Sequence, residues 1–347
     1  MNVGVLTGGG DCPGLNPVIR ALVRKGLKDY GFEFTGIRWG WKGLLEKDTC
    51  KLDLDAVSGI LHVGGTILGT SRTNLFKIEG GPERAVKSLN ELGIDALVAI
   101  GGDDTLGVAK HLFDGLGVHV IGVPKTIDND LSGTDYTFGF DTAVAIATEA
   151  IDRLHSTAES HQRVMVVEVM GRSAGWIAVV SGIAGGADVI VTPEFPLTVE
   201  DVCDLIKQRW ARGKRFSVVC VSEGAKILWR SGEQKEVLAS DEVDAFGNVK
   251  LGGVGAVFAR EIKRLTGLDV RDTTLGYIQR GGTPTPHDRV LGTRFGVKAA
   301  DMVAQGEWGK MAGLKGDEIV SVPLSVAVDT KKLVTKEWWD LAQVFFG

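Results

Sequence analysis

Short apolar runs rich in β-branched residues alternate with longer amphipathic segments along this chain of 347 residues. This alternation is typical of a parallel sheet that is covered by helices. Strands are predicted at Val3–Leu6, Phe34–Trp39, Ala96–Ile100, His119–Val123, Val164–Val169, Val189–Val191 and Ser217–Val221. With 44 % hydrophobic residues, a chain of this length can bury a large core and form two lobes.

Local signals predict further details of two elements. The segment from Thr198 to Asp201 has the pattern of a capping box, with aspartate in the place of glutamate, and predicts a helix that ends near Gly213. Trp39 and Trp41 are two residues apart at the end of the second predicted strand. This spacing predicts that both are core or lobe-interface residues.

Charge and cysteine usage exclude several classes of protein. A formal net charge of −5 argues against a general binder of nucleic acids or anionic membranes, although a small anionic substrate needs only a few local cations. The four cysteines have neither CxxC nor zinc-site spacing, which favours reduced thiols. The sequence shows no signal peptide, and its longest apolar run, 175–191, is too short and too polar for a membrane span. We therefore expect a soluble, cytoplasmic protein.

Ligands of open parallel sheets bind beyond the carboxyl ends of the strands, so the glycine-rich segments there are candidate sites. The first segment, Thr7–Gly14, has the sequence TGGGDCPG and precedes a predicted helix near Asn16. Its backbone N–H groups can bind phosphate, but the segment can equally be a tight strand–helix turn. Pro13 interrupts the dinucleotide fingerprint GxGxxG, and the chain has no GxxxxGK[ST] loop. Both common nucleotide-binding loops are therefore absent.

Two more segments follow predicted strands. Gly101–Thr105 reads GGDDT, and its carboxylates can either hold Mg²⁺ or cap the next helix as an acidic turn. Pro124–Asp130 reads PKTIDND and combines a cation, a hydroxyl, carboxylates and an amide. That mixture suits phosphoryl transfer, which needs a base, a metal ligand and a cation, and a solvated loop is the alternative.

Further polar segments lie beyond the middle of the chain. Glu168–Ser173 and Ser222–Gly224 follow two predicted strands, and Tyr277–Gly282 lies in the last third. Each of them alone can be a surface turn. Together with their neighbours they supply four guanidinium groups that can bind a sugar phosphate, from Arg163, Arg172, Arg271 and Arg280.

These segments, in this order, resemble the 6-phosphofructokinase family. The resemblance extends from the opening glycine loop through Thr283, and the combination of GGD, TIDND, MGR and QRGG is highly specific. It implies an α/β fold with two Rossmann-like lobes of mostly parallel sheets. Residues 1–139 with about 279–329 would form the phosphoryl-donor lobe, and residues 140–278 with about 330–347 the fructose 6-phosphate lobe.

The resemblance also implies roles for individual residues. Asp128 would be the general base for the 1-hydroxyl of fructose 6-phosphate, assisted by Lys125 and Arg172, and Asp103 and Asp130 would bind Mg²⁺. The residues implied for sugar-phosphate binding are Thr126, Ile127, Asp128, Arg163, Met170, Gly171, Arg172, Glu223, Arg271, Tyr277 and Arg280. The residues implied for donor binding are Gly10, Arg72, Asp104 and Lys125. In this family Arg163 and Arg271 would reach the site of a neighbouring subunit, which implies a homodimer or homotetramer.

Two charged positions indicate the phosphoryl donor. ATP-dependent bacterial members have glycine at the position of Asp104, and commonly at that of Lys125, whereas the charged pair resembles the pyrophosphate-dependent branch. A carboxylate about 4 Å from the α-phosphate of ATP would cost roughly 4 kcal/mol at an effective dielectric of about 20. That penalty corresponds to roughly a thousandfold discrimination, while Lys125 would neutralise the leaving phosphate.

The predicted function is Mg²⁺-dependent, reversible phosphoryl transfer from pyrophosphate to the 1-hydroxyl of fructose 6-phosphate, a step of glycolysis and gluconeogenesis. One alternative is an ATP-dependent 6-phosphofructokinase that tolerates Asp104. A kinase of lipids or NAD with a GGD segment would leave TIDND, MGR and QRGG without a role. A catalytically silent sugar-phosphate-binding subunit is the alternative from another class, and the intact Asp103, Lys125 and Asp128 argue against it.

Overall fold

The computed structural model describes residues 1–247 and 249–347, with residues 238–243, 249 and 250 described by their backbone alone. The strands are β1 (Asn2–Thr7), β2 (Glu33–Ile37), β3 (Thr49–Lys51), β4 (Ala96–Gly101), β5 (Val120–Pro124), β6 (Val164–Val169), β7 (Val189–Val191), β8 (Ser217–Ser222), β9 (Ile227–Leu228), β10 (Gln234–Lys235), β11 (Leu238–Val243), β12 (Val249–Leu251), β13 (Val270–Thr274), β14 (Lys310–Lys315) and β15 (Glu318–Pro323). The helices are α1 (Leu15–Lys25), α2 (Gly40–Glu46), α3 (Gly81–Glu91), α4 (Asp103–Leu116), α5 (Phe140–His161), α6 (Trp176–Ala184), α7 (Val199–Ala211), α8 (Val254–Thr266), α9 (Pro286–Gln305), α10 (Leu324–Asp329) and α11 (Lys336–Gln343).

The first sheet has the strand order β15-β14-β5-β4-β1-β2-β3. Its five inner strands are parallel, and the two edge strands β3 and β15 pair antiparallel with their neighbours. Every residue of β4 and β5 is buried. Strands that are covered by helices on both faces read as continuous hydrophobic runs, which is why the sequence pattern finds them.

The second sheet has the order β13-β6-β8-β7 and is parallel throughout. Between β8 and α8 the chain forms two short antiparallel pairs, β9 with β10 and β11 with β12. One apolar cluster contains residues of both sheets, for example Val5 of β1 and Val167 of β6. The predicted lobe boundaries therefore stay a prediction, although the two sheets are separate in hydrogen bonding. Among the described residues, no helix combines the length and the apolar character needed to cross a bilayer.

All seven predicted strands are present, but the prediction for 34–39 is wrong at its end. β2 stops at Ile37, and Trp39 takes a left-handed conformation with φ of 58° and is 49 % exposed. The turn continues through Gly40, where a Cβ atom would lie 2.8 Å from the carbonyl oxygen of Thr7. Trp41 is buried as predicted, but it lies on helix α2 rather than on a strand.

The capping box predicted for α7 is confirmed. The Thr198 hydroxyl accepts a hydrogen bond from the Asp201 backbone N–H at 3.1 Å, and the Asp201 carboxylate accepts one from the Thr198 N–H at 3.1 Å. Replacing Thr198 by alanine should lower the free energy of unfolding by about 1 kcal/mol, because the Asp201 backbone N–H loses its acceptor. Urea unfolding measures the change. Thr335→Ala is the matched control, since Thr335 is the N-cap of α11 and makes no side-chain cap bond. Equal losses in the two variants would contradict the prediction.

Candidate active site

The carboxyl ends of strands from both sheets face a common cleft. The cleft is lined by Gly9, Gly10, Arg72, Gly102, Asp103, Asp104, Thr105, Lys125, Thr126, Asp128, Asp130, Arg172, Ser173, Asp244, Phe246, Arg280 and Lys331. The predicted site residues that it brings together are Gly10, Arg72, Asp103, Asp104, Lys125, Thr126, Asp128, Asp130, Arg172 and Arg280. Loops that are distant in sequence therefore meet where the strand pattern predicted.

The glycine loop after β1 allows side chains from other loops to approach its backbone. A Cβ atom on Gly10 would lie 2.8 Å from Nη1 of Arg280, closer than real Cβ contacts allow. Lys125 donates a hydrogen bond from Nζ to the Gly10 carbonyl. The Arg280 guanidinium also lies near the Asp11 carbonyl, at 3.4 Å from Nη1. The loop is thus both a strand–helix turn and one wall of the cleft.

Asp103 and Asp104 are the first two residues of helix α4. The positive end of the helix dipole stabilises carboxylates at this position. The interpretation of GGDDT as an acidic turn at the start of the next helix therefore agrees with the local geometry. Both residues also line the cleft, and an Asp103 carboxylate oxygen lies 3.7 Å from Nζ of Lys331. One segment can therefore start the helix and present its charges to a ligand.

The loop after β5 holds Asp128 in a fixed turn. Asn129 takes a left-handed conformation with φ of 51°, and its side-chain oxygen accepts a hydrogen bond from Nζ of Lys332 at 2.8 Å. The Asp128 N–H donates to the Thr126 hydroxyl at 3.1 Å, and the intervening Ile127 side chain is buried. Oδ1 of Asp128 is buried and accepts no hydrogen bond from the residues that the structure describes. Asp128 also lines the cleft, so its carboxylate can take a proton from a ligand there.

Lys125 lies deeper than the other cations of the cleft. Only 4 % of the residue is exposed, and burial, followed by the positive charge of Arg280, lowers the pKa of its ammonium group. Asp103 and Asp128 act in the opposite direction and favour the charged form. Its hydrogen bond to the Gly10 carbonyl directs the ammonium group towards the glycine loop, beside the place where the loop can bind phosphate.

Asp128 has acidic neighbours whose protons are held more tightly than usual. Burial, followed by the charges of Asp128 and Asp103, raises the pKa of Asp130 to about 7. Burial, followed by the charge of Asp128, raises the pKa of Glu223 to about 7. Carboxyl groups that share one site cannot all ionise without a compensating cation. The cleft therefore favours either bound protons or a bound cation.

The Glu223 carboxyl makes the stability of the ligand-free protein depend on pH. The folded protein keeps a proton on Glu223 up to pH about 7, whereas the unfolded chain releases it near the ordinary value of 4.5. The free energy of unfolding, compared with that of Glu223→Gln, should therefore decrease as the pH rises between these two values. Urea unfolding of both proteins across this range measures the difference. A difference that stays constant from pH 4.5 to 8 would contradict the assignment.

The sugar-side segments lie beside the cleft. The Met170 N–H donates to the buried Gln279 side chain at 2.8 Å, which ties the loop after β6 to the turn Gly276–Arg280. The Gly171 N–H donates to the Glu223 carboxylate at 3.4 Å. Among the sugar-phosphate-binding residues predicted in these segments, only Arg172 and Arg280 line the cleft itself. The Tyr277 side chain is 69 % exposed.

Arg163 and Arg271 are not brought to the cleft of their own chain. Arg163 directly precedes β6 and Arg271 is the second residue of β13, so both lie at the amino ends of parallel strands. Both pair with Asp269, at 3.3 and 2.6 Å. The cleft lies at the carboxyl ends of the same strands, and six residues at about 3.3 Å each put the two ends about 20 Å apart.

Comparison with known proteins decides the family. The sequence profile described as Phosphofructokinase matches residues 2–303. The chain belongs to the phosphofructokinase family. A Streptomyces coelicolor protein named pyrophosphate–fructose 6-phosphate 1-phosphotransferase is 57 % identical over 347 residues, which cover 100 % of both chains. A second protein of that organism, named ATP-dependent 6-phosphofructokinase 2, is 50 % identical over 346 residues and is likewise covered completely.

A solved structure supports the phosphofructokinase fold. Pichia pastoris phosphofructokinase in the T-state superimposes with a TM-score of 0.81 at 32 % identity, over 94 % of this chain and 35 % of that one. This chain therefore spans about a third of the length of that protein. The predicted family and the predicted α/β fold with mostly parallel sheets are both confirmed.

Phosphofructokinases generally use a divalent metal ion, and the residues of this cleft fit one. Among the described residues, no group of three or more His, Cys, Asp or Glu side chains is arranged to hold a metal alone. Asp103 and Asp130 are instead two carboxylates that face one cleft, and their repulsion contributes to the raised pKa of Asp130. Hard cations such as Mg²⁺ bind well to one or two carboxylates together with phosphate oxygens and water.

Three cleft residues of this phosphofructokinase were missed by the sequence analysis. Lys331 donates from Nζ to the Ser173 hydroxyl at 2.9 Å, and Asp244 pairs with Arg72 at 3.0 Å. Phe246 lies beside Asp244. These residues do not follow a predicted strand, so the rule that located the other segments could not find them.

Proposed function

We propose that this chain catalyses reversible phosphoryl transfer from pyrophosphate to the 1-hydroxyl of fructose 6-phosphate, giving fructose 1,6-bisphosphate and phosphate. The observation that carries the proposal is the pair of charged residues Asp104 and Lys125 in one cleft with Asp128. The relative that is 57 % identical over its whole length carries the corresponding name. The reaction runs in both directions because the energies of its two sides are closer than when ATP is the donor.

Asp128 supplies the base. Its carboxylate, which lines the cleft, takes the proton of the 1-hydroxyl as the hydroxyl oxygen forms a bond to phosphorus. The bond from phosphorus to the bridging oxygen of pyrophosphate breaks, and phosphate leaves with the electron pair. In the reverse direction Asp128 returns the proton.

Cations stabilise the negative charge that develops on the transferring group. Arg172 and Arg280 line the cleft from the second sheet, and Lys125 lies beside the glycine loop of the first. Preorganised cations in such a cleft stabilise the transition state without reorganisation at the moment of transfer. Thr126, Met170, Gly171 and Glu223 would shape the sugar-phosphate side.

Mg²⁺ is the proposed metal, and Asp103 and Asp130 would hold it. When bound, it neutralises charge on the phosphate oxygens of the donor. Among the side chains that the structure describes, five acidic residues, Asp103, Asp104, Asp128, Asp130 and Asp244, and five basic residues, Arg72, Lys125, Arg172, Arg280 and Lys331, line the cleft. Because acidic and basic groups are equally numerous here, a metal complex of the donor, which carries less negative charge than the bare polyanion, is favoured.

An ATP-dependent phosphofructokinase is the second candidate function, and the relative that is 50 % identical favours it. Asp104 argues against it, because a nucleoside triphosphate would extend past this carboxylate. A catalytically silent subunit is less well supported, because Asp103, Lys125 and Asp128 are all in the cleft.

We further propose a homodimer or homotetramer in which Arg163 and Arg271 complete the neighbouring site. Their distance from the cleft of their own chain supports this role. Tyr277 and Ile278, both more than two-thirds exposed, offer an apolar surface for such a contact. A cytoplasmic location is also proposed, since all four cysteines are free.

Mixed oligomers test the shared site. Asp128→Asn and Arg163→Ala chains, coexpressed in equal amounts, should regain up to about a quarter of the wild-type activity, because half of random dimers are hybrids with one intact site of two. Activity is measured below the KM for fructose 6-phosphate. Coexpression of Asp128→Asn with Arg172→Ala is the control, since these residues share one cleft and no hybrid site is intact. Equal activity in the two mixtures would contradict the shared site.

Product analysis tests the reaction itself. The protein is incubated with fructose 6-phosphate, Mg²⁺ and pyrophosphate, and fructose 1,6-bisphosphate and phosphate should appear in equal amounts. Fructose 1,6-bisphosphate and phosphate should regenerate pyrophosphate. Binding of fructose 6-phosphate without turnover of pyrophosphate or of ATP would support the catalytically silent subunit instead.

A further inference from the structure

A turn of residues 244–247, which follows β11, lies against the side of the cleft where Gly10, Arg72, Asp104 and Lys125 are predicted to bind the donor. Asp244 and Phe246 of this turn both line the cleft. One carboxylate oxygen of Asp244 accepts a hydrogen bond from the Phe246 N–H at 2.9 Å, and the other pairs with Nη1 of Arg72 at 3.0 Å. A single side chain therefore fixes the turn and contacts the arginine predicted to bind the donor.

Arg72 needs such a contact to hold its side chain in place. It lies in a segment, 62–74, that contains neither helix nor strand. The neighbouring backbone is held, since the Ser71 carbonyl accepts a hydrogen bond from the Gly9 N–H at 3.1 Å. The Arg72 side chain itself is 45 % exposed and reaches Asp244 across the cleft. Ordering a long side chain opposes ligand binding, so an arginine that is already held binds an anion more tightly.

Phe246 contributes to a second hollow that adjoins the cleft. The hollow is lined by Asn74, Phe76, Asp103, Asp104, Gly107, Val108, His111, Phe246 and Val328. Asp103 and Asp104 belong to both spaces, so the hollow begins where the cleft passes Asp104. Phe246 packs on the apolar cluster that contains Leu106. It thus forms a wall of the hollow that comes from outside the first sheet.

An inorganic diphosphate and a nucleoside triphosphate differ in their need for this hollow. A diphosphate can lie between the glycine loop and Asp104. Because the hollow shares Asp103, Asp104 and Phe246 with the cleft, it is the space into which a nucleoside attached to the donor phosphates would extend. The turn therefore contacts both places that matter for the choice of donor. Asp244 contacts Arg72, and Phe246 lines the hollow.

We propose that Asp244 and Phe246 form a donor-specificity element. Asp244 positions Arg72 for the diphosphate, and Phe246 narrows the hollow that a nucleoside would enter. The inference rests on the pyrophosphate-dependent function proposed above and adds two residues that determine the choice of donor.

Asp244→Asn tests the positioning of Arg72. The amide oxygen can still accept the Phe246 N–H, while the charge that pairs with Arg72 is lost. The KM for pyrophosphate should rise about tenfold, which corresponds to about 1.4 kcal/mol. The kcat should stay within about twofold and the KM for fructose 6-phosphate should not change. Asp48→Asn is the matched control, because it removes the comparable Arg38–Asp48 pair at 3.2 Å outside the cleft. A KM for pyrophosphate equal to that of the control would overturn this role.

Phe246→Ala tests the hollow. ATP and inorganic tripolyphosphate are compared as competitive inhibitors against pyrophosphate, because both have three phosphates and only ATP has a nucleoside. The inhibition constant for ATP should fall about tenfold, and that for tripolyphosphate should stay within about twofold. Phe345→Ala, at a residue 60 % exposed and outside both spaces, is the control. Unchanged ATP inhibition, or an equal change for both inhibitors, would overturn the role of Phe246.

Assays of the wild-type protein distinguish a failure of the specificity element from a failure of the proposed pyrophosphate-dependent function. Turnover with pyrophosphate, together with variants that behave like their controls, would reject the specificity element and leave the proposed function intact. Turnover with ATP and none with pyrophosphate would overturn both. Thermal melting of each variant shows whether it is folded, and the unaffected KM for fructose 6-phosphate provides a second check.

Discussion

Replacing Asp128 by asparagine should lower kcat by about 10²- to 10⁴-fold, the usual contribution of a positioned general base. The amide keeps the size of the side chain but cannot take the proton of the 1-hydroxyl. The loop should keep its conformation, because its hydrogen bonds involve the Asp128 backbone, Thr126 and Asn129 rather than the Asp128 carboxylate. The KM for fructose 6-phosphate should therefore change much less than kcat.

Initial rates in both directions measure this effect, since the same residue handles the proton each way. Asp135→Asn is the matched control: Asp135 lies in the segment that follows the loop, but its carboxylate pairs with Lys315 at 3.2 Å and does not line the cleft. A loss in Asp128→Asn of less than about tenfold would assign the base to another group.

Replacing Asp104 by glycine should raise kcat/KM for ATP by about ten- to a hundredfold and leave that for pyrophosphate within a fewfold. The sequence alone suggested roughly a thousandfold discrimination. Two features of the structure reduce this figure. Asp104 is partly exposed, so water screens its charge, and it lies in the first turn of α4, whose dipole offsets part of the repulsion.

Asp104→Asn separates charge from backbone effects in this experiment. Glycine in the first turn of a helix lowers helix stability by up to about 1 kcal/mol, whereas asparagine removes the charge with a smaller cost. Both variants should gain ATP turnover. A gain in the glycine variant alone would mean that space at this position, rather than charge, excludes the nucleotide.

Buried strands were the part of the fold that the sequence made predictable. Every residue of β6 and β8 is buried, so their runs are mostly apolar and stand out in spite of Glu168 in β6 and the serines at the two ends of β8. β13 reads VRDTT and was missed because Arg271, Asp272 and Thr274 are exposed at the edge of the second sheet. Backbone pairing with β6 forms this strand, and that pairing leaves no hydrophobic pattern.

The end of β2 shows a different limit. The predicted strand continues through Trp39, but the chain turns at Gly40, where the backbone lies so near the Thr7 carbonyl oxygen that a Cβ atom would be 2.8 Å from it. This close approach involves a strand that is more than thirty positions away in the sequence. Hydrophobic periodicity does not report such a contact, so the predicted strand was two residues too long.

Site residues were predictable where they follow a buried strand and not where tertiary contacts bring them in. Gly10, Asp103 and Asp128 come after β1, β4 and β5. Asp244 is 172 residues from Arg72, and Lys331 is 158 residues from Ser173. No local rule connects such positions. The roles of all these residues stay predictions until the variants are measured.

The most direct test of the account is the ratio of kcat/KM for pyrophosphate to that for ATP in the wild-type protein, with fructose 6-phosphate and Mg²⁺ saturating. The charge of Asp104 predicts a ratio of at least about ten in favour of pyrophosphate. A ratio of one or below would contradict the assigned donor, and the phosphofructokinase fold would then serve a nucleotide-dependent enzyme.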